Sequence, residues 1–100
     1  MAMYTVKTTS DFDNWLSSLK DARTRIRLAR RLERVRQGNL GDVASVGDSV
    51  FEMREFFGPG WRMYYCQHEN TIIVMLGGGD KSTQAKDIAK AKRVAHALRK

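Results

Sequence analysis

The stretch "SVFEMREFFGPGWRMYYCQ", Ser49 to Gln67, decides how the chain folds. Two aromatic-rich runs flank Gly58-Pro59-Gly60, a tight-turn sequence, so they read as the arms of an antiparallel hairpin. Side chains alternate across a strand. Phe51, Met53, Glu55 and Phe57 therefore share one face, and Glu52, Arg54 and Phe56 the other. On the returning arm Trp61, Met63 and Tyr65 oppose Arg62, Tyr64 and Cys66. After a polar turn at His68–Asn70, "TIIVMLG" (Thr71–Gly77) supplies a third, more apolar strand suited to the sheet centre.

Upstream, Met3–Thr8 alternates as a short strand, and Ser10 with Asp13 forms a capping-box pattern. Phe12, Trp15, Leu16 and Leu19 then follow at helical spacing. Asp21 is placed to cap a second helix running to about Gln37, with Ala22, Ile26, Ala29, Leu32 and Val35 as its apolar stripe. Gly38 and Asn39 stop it, and Gly38–Asp48 reads as a loop. A last helix starts near Ser82 or Thr83 and buries Ile88, Ala91, Ala95 and Leu98. The order is β-α-α-β-β-β-α, an α+β domain spanning residues 1–100, with an antiparallel meander flanked by helices. Phe12, Trp15, Leu16, Ile26, Leu32, Met53, Met63, Val74, Ile88 and Leu98 are expected in the core.

The 18 Lys and Arg against 11 Asp and Glu give a formal charge of +7, a balance that favours a polyanionic partner such as nucleic acid. The charge is clustered. Arg23, Arg25, Arg27, Arg30, Arg31, Arg34 and Arg36 lie on the second helix, opposed only by Asp21 and Glu33. A solvated helix face normally mixes signs through i, i+4 pairs; this one reads as a phosphate-tracking surface. Cys66 is the only cysteine, which excludes an intrachain disulfide and fits a reducing compartment. No signal-peptide pattern opens the chain and no apolar run is long enough to span a bilayer, so a cytoplasmic location and no membrane partner are expected. Met1-Ala2 precede a second candidate start at Met3.

"VMLGGGDKSTQAKDI" (Val74–Ile88) has the strand, glycines, Lys-Ser pair and helix of a nucleotide loop. Asp80 and Met75 stand where that motif needs glycines, so the match fails. The glycines are expected to turn the chain sharply into the last helix, leaving Lys81 near a helix start where phosphate is attracted. His68, His96 and Cys66 have no metal-ligand spacing, and neither a metal nor another cofactor is expected. If Phe51, Met53, Met63 and Tyr65 face the helices, Glu52, Arg54, Arg62 and Tyr64 converge on an open face. Two arginines and a tyrosine there could clamp a phosphate and stack a base. The same pattern also suits a simple cross-strand Glu52–Arg62 ion pair beside an aromatic ring.

Together "FDNWLSSLKDARTRIRLARRLERVRQGNLGD", "VGDSVFEMREFFGPGWRMYY" and "LGGGDKSTQAKDIAKAKRVA" closely resemble the addiction-module killer proteins, HigB-like toxins of the RelE/ParE superfamily. The similarity runs from about Tyr4 to Ala97. It implies a compact toxin fold, a type II toxin–antitoxin module, and neutralisation by a cognate helix-turn-helix antitoxin, with a heterotetramer among the assemblies open to the pair. RelE and HigB relatives cut mRNA at the ribosome without metal. By that resemblance Arg54, Arg62 and Lys81 would stabilise the scissile phosphate, with Glu52 or Tyr64 as base and Gln84 behind Lys81; the charge clustering itself offers Arg23, Arg27, Arg30, Arg31 and Arg34 as nucleic-acid contacts. The chain lacks the aromatic or histidine-bearing tail in which several ribonuclease relatives keep a catalytic residue. ParE relatives share the fold and poison DNA gyrase, and a non-catalytic basic nucleic-acid-binding module is a third reading.

Overall fold

A computed structural model describes residues 3–99; Met1-Ala2, which precede the candidate start at Met3, lie outside them. In chain order the elements are β1 (Thr5–Thr8), α1 (Ser10–Ser18), α2 (Ala22–Arg36), β2 (Val43–Gly47), β3 (Val50–Arg54), β4 (Arg62–His68), β5 (Ile72–Gly79) and, after a 3₁₀ turn at Lys81–Thr83, α3 (Gln84–Leu98). The five strands form one sheet in the order β1-β5-β4-β3-β2. The α+β class and the meander are as expected. The sheet, however, is mixed, because β1 pairs in parallel with β5.

Local chemistry sets most of the boundaries. The Thr9 hydroxyl accepts from the Phe12 amide at 3.2 Å and starts α1 one residue before the expected cap. The Asp21 carboxylate accepts from the Arg23 amide and the Thr24 hydroxyl and starts α2. At its other end Gly38, at φ 97°, lets the Gly38 and Asn39 amides return to the Val35 and Arg34 carbonyls, an αL stop that a Cβ would strain.

Part of the expected loop is a strand. β2 pairs antiparallel with β3 through a turn in which Asp48 and Ser49 both have positive φ. That is the backbone of a primed two-residue hairpin, made here without the usual glycine. The stripe of α2 is also rotated from the expected one. Thr24, Leu28, Arg31, Leu32 and Val35 are buried, while Ile26 is 53% exposed. The true stripe contains a threonine and an arginine, residues that read as solvent-facing. Leu98, in the last turn of α3, is likewise exposed.

Two apolar layers sandwich the sheet. Phe12, Leu28, Leu32, Val35, Met53, Met63, Tyr65, Ile73 and Met75 fill the side under α1 and α2. Val50, Tyr64, Cys66, Leu76, Ala91 and Ala95 fill the side under α3. The face expected to be open is therefore covered over much of its area. The register of β4 on β5 shifts between Tyr64, opposite Gly77, and Tyr65, opposite Met75.

The three glycines belong to β5 rather than to the turn after it. A Cβ on Gly78 would lie 2.5 Å from the Trp15 ring, and one on Gly79 would lie 1.9 Å from Asp87 Oδ2. Gly78 and Gly79 thus allow the close approach of α1 on one face and α3 on the other.

Candidate functional site

The hairpin register places Arg54 directly opposite Arg62 and Glu52 directly opposite Tyr64. Like charges facing each other across a sheet repel, and each arginine has its own carboxylate. Arg54 grips Asp42 in two-pronged fashion, with Nη2 2.7 Å from Oδ1 and Nε 3.2 Å from Oδ2. These hydrogen bonds hold the Asp42 carboxyl below its usual range. Arg62 turns Nε toward Glu52 Oε2 at 3.6 Å, too long for a hydrogen bond but a close ion pair. The sequence pointed to this ion pair; Asp42, in the segment read as loop, was not singled out.

Glu52, Arg62 and Tyr64 are buried, against the expectation of an open face. The first turn of α3 closes over them, and Gln84 Nε2 donates to Glu52 Oε2 at 2.9 Å. Tyr64 is wholly buried, and its hydroxyl has no hydrogen-bond partner among the described residues. Burial, and then the charges of Glu52 and Asp87, push its phenol well above the ordinary range. In this arrangement Tyr64 neither reaches an RNA base nor serves as a base at neutral pH.

Lys81 is exposed, and both it and Arg62 border Gly60 in the Gly58–Gly60 turn. A Cβ on Gly60 would lie 3.4 Å from Lys81 Cβ and 3.7 Å from Arg62 Nη1. Asp80 organises this corner by accepting from the Ser82 amide at 2.8 Å and from its hydroxyl. Those bonds lower the Asp80 carboxyl. Farther into α3, the Thr83 hydroxyl donates to Asp87 Oδ2 at 2.6 Å. An exposed lysine and a largely buried arginine thus border Gly60, and the arginine is paired with the Glu52 carboxylate. Cations of this kind can bind a phosphate, and a carboxylate can take a proton.

The arginines of α2 divide. Arg23, Arg27, Arg30 and Arg34 are exposed. Arg31, expected to bind nucleic acid, is 3% exposed. Its guanidinium donates to the carbonyls of Leu40, Asp42 and Arg54 and pairs with Glu55. It ties α2 to the start of β2 and the end of β3, and it leaves the set of surface contacts. Arg25 donates to the Leu19 carbonyl and Arg36 pairs with Glu33. Among the described residues no group of three or more His, Cys, Asp or Glu is placed to hold a metal ion, and no helix is long and apolar enough to cross a membrane.

No protein-family model matches the chain. It is 45% identical over 93 residues to an uncharacterized protein of Haemophilus influenzae, a match covering 93% of this chain and 94% of that one. In fold it is similar to a chain of the RelBE2 toxin–antitoxin complex of Mycobacterium tuberculosis, with a TM-score of 0.65 and 20% identity over 80% of this chain and 100% of that one. It is similar also to a mutant of the Escherichia coli toxin RelE in the free state, with a TM-score of 0.64 and 12% identity over 90% of this chain and 98% of that one. The chain thus belongs to one family with the Haemophilus influenzae protein, and its fold is that of the RelE toxins.

Proposed function

We propose that this chain is the toxin of a type II toxin–antitoxin module, HigB-like, and a metal-independent endoribonuclease acting on translated mRNA. The observation that carries the proposal is the placing of Arg62 and Lys81 beside Gly60, with Glu52 paired to Arg62, on a RelE-type fold. Arg62 and Lys81 bind the scissile phosphate and offset the charge that develops on its oxygens. The ribose 2′-hydroxyl attacks the adjacent phosphorus and its proton passes to Glu52; a 2′,3′-cyclic phosphate forms as the bond to the 5′-oxygen breaks, and that oxygen takes up a proton from solvent. Glu52 reaches that proton once RNA displaces the Gln84 amide. Arg54, held by Asp42, adds positive field beside Arg62, and Tyr64 supports the site from below. A cognate antitoxin restrains the toxin in the cell, where the mRNA and ribosome are its targets.

Lys81→Ala is the cleanest probe, because Lys81 is exposed and outside every ion pair of the described residues. Arg62→Ala is a poorer one, since it strands Glu52 in a buried site. Added to a cell-free translation reaction, wild-type protein should cut mRNA at positions mapped by primer extension. Lys81→Ala should cut about tenfold or more slowly, on the scale of lost oxyanion contacts, with an unchanged thermal midpoint. Intact mRNA together with inhibited gyrase supercoiling would replace this reading with the ParE-like one.

A further inference from the structure

The two phenylalanines that close the first hairpin arm part company. Phe57 turns inward, packs against the α1–α2 core and carries the Arg27 guanidinium over its ring at 4.0 Å from the centroid. Phe56 turns out and is 79% exposed. It lines one recess with Arg27, Arg30, Arg34, Glu55 and Phe57. Glu55, the one carboxylate of that recess, is taken by the buried Arg31. Glu33, the one acidic residue within α2, pairs with Arg36. The three recess arginines therefore face solvent without a compensating acid, around a protruding ring.

We propose that Phe56 is a base-stacking platform for single-stranded RNA, with Arg27, Arg30 and Arg34 binding the phosphates on either side of the stacked base. A cationic groove combined with an exposed aromatic ring is the general device for holding unpaired nucleotides, because every base has a stackable face and every linkage a negative charge. Spacings of three and four residues along α2 set the arginines on one helix face. Arg27 is held in place by its stacking on Phe57, so less of its freedom is lost on binding. The Glu55–Trp61 connection carries Phe56 near one end and Gly60, with its Lys81 and Arg62 neighbours, near the other. One strand of RNA can run over this connection, anchored at Phe56 and presented to the phosphate-binding corner. This assignment rests on the reading of the chain as an RNA-acting toxin, and it names the RNA contact that lies outside the reacting linkage.

The test is equilibrium binding of a fluorescein-labelled single-stranded RNA of mixed sequence to the full chain, by anisotropy over a series of salt concentrations. Phe56→Ala should weaken binding about tenfold, the scale of one lost base stack, with the slope of log K against log salt unchanged. Phe56→Trp should keep the affinity, and its indole emission should be quenched on binding. Changing Arg27, Arg30 and Arg34 together to Gln should reduce the slope by about 2, from about 0.7 for each phosphate contact on a single strand. RNA affinity indifferent to Phe56→Ala overturns the proposal, as does a Phe56→Ala defect confined to capture of a co-expressed antitoxin. Cleavage of translated mRNA is scored separately. A wild-type chain that cuts mRNA while Phe56→Ala binds RNA normally refutes the stacking platform and leaves the nuclease standing. Phe56-dependent binding without any cleavage does the reverse.

Discussion

Replacing Arg31 by Ala should be among the most damaging single changes available to this domain. The guanidinium is buried and donates to the Leu40 carbonyl from Nη2 at 2.9 Å, to Asp42 at 2.8 Å and to Arg54 at 2.9 Å, and it pairs with Glu55. Truncation leaves those acceptors without their donor and Glu55 as a largely buried, uncompensated charge. Breaking a buried pair by removing one partner costs about 3–5 kcal/mol. The carbonyl bonds, about 1.5–3 kcal/mol each when the donor is charged, overlap with that figure rather than add to it. A domain of this size has roughly 5–15 kcal/mol in all, and each kcal/mol moves the midpoint by about 4–8 °C. Arg31→Ala should then lower the thermal midpoint by on the order of 15–30 °C, followed by circular dichroism. Arg30→Ala, one residue away but exposed, should change stability by no more than about 0.5 kcal/mol. Arg31→Lys should recover little, since one ammonium cannot span acceptors arranged for a planar fork. Gly41 belongs to the same device. Its φ is 71°, and a Cβ there would sit 3.0 Å from the Arg31 guanidinium carbon. A midpoint shift of only a few degrees in Arg31→Ala, with a flattened salt dependence of RNA binding, would refute this reasoning and return Arg31 to the surface.

The glycine run and the acid limb of stability offer two further checks. Gly77→Ala meets open space and should be tolerated, whereas Gly78→Ala drives a methyl into the Trp15 ring; chemical denaturation should show Gly78→Ala less stable by about 1–3 kcal/mol. Equal midpoints for the two would show that the Trp15 contact yields freely. The Asp42 and Asp80 carboxyls are held below their ordinary values by Arg54 and Ser82 respectively. Between the folded and unfolded values the unfolded chain binds more protons, so the stabilisation is present above about pH 3.9 and is lost as pH falls through the folded value. Asp42→Asn should therefore shrink the drop in thermal midpoint on acidification, and a drop as large as wild type would show that the Arg54 contact contributes nothing in solution.

Much of the fold could be read directly from the chain because its signals are local. The cap at Asp21, the stop at Gly38, the hairpin around Gly58-Pro59-Gly60 and the alternation of Met53, Met63 and Tyr65 each depend on a few neighbouring residues. The misreadings share one cause. β2 alternates weakly and turns through Asp48 and Ser49 without a glycine, so only pairing with β3 reveals it as a strand. Arg31 and Thr24 sit on the buried stripe of α2, where residue type alone argues for solvent.

The site divides along the same line. A basic α+β domain, a cluster of arginines on α2 and a shared strand face for Glu52, Arg54, Arg62 and Tyr64 are legible in the chain alone, because charge and side-chain period are properties of short segments. Which of those charges are free is set by contacts between distant segments. Whether α3 covers the sheet, which acceptors surround Arg31, what holds Arg54 and what brings Lys81 and Arg62 beside Gly60 all depend on groups far apart in the chain. A buried arginine and an RNA-facing one are spelled alike; long-range packing supplies the carbonyls and carboxylates that satisfy Arg31 and leaves Arg27, Arg30 and Arg34 to solvent.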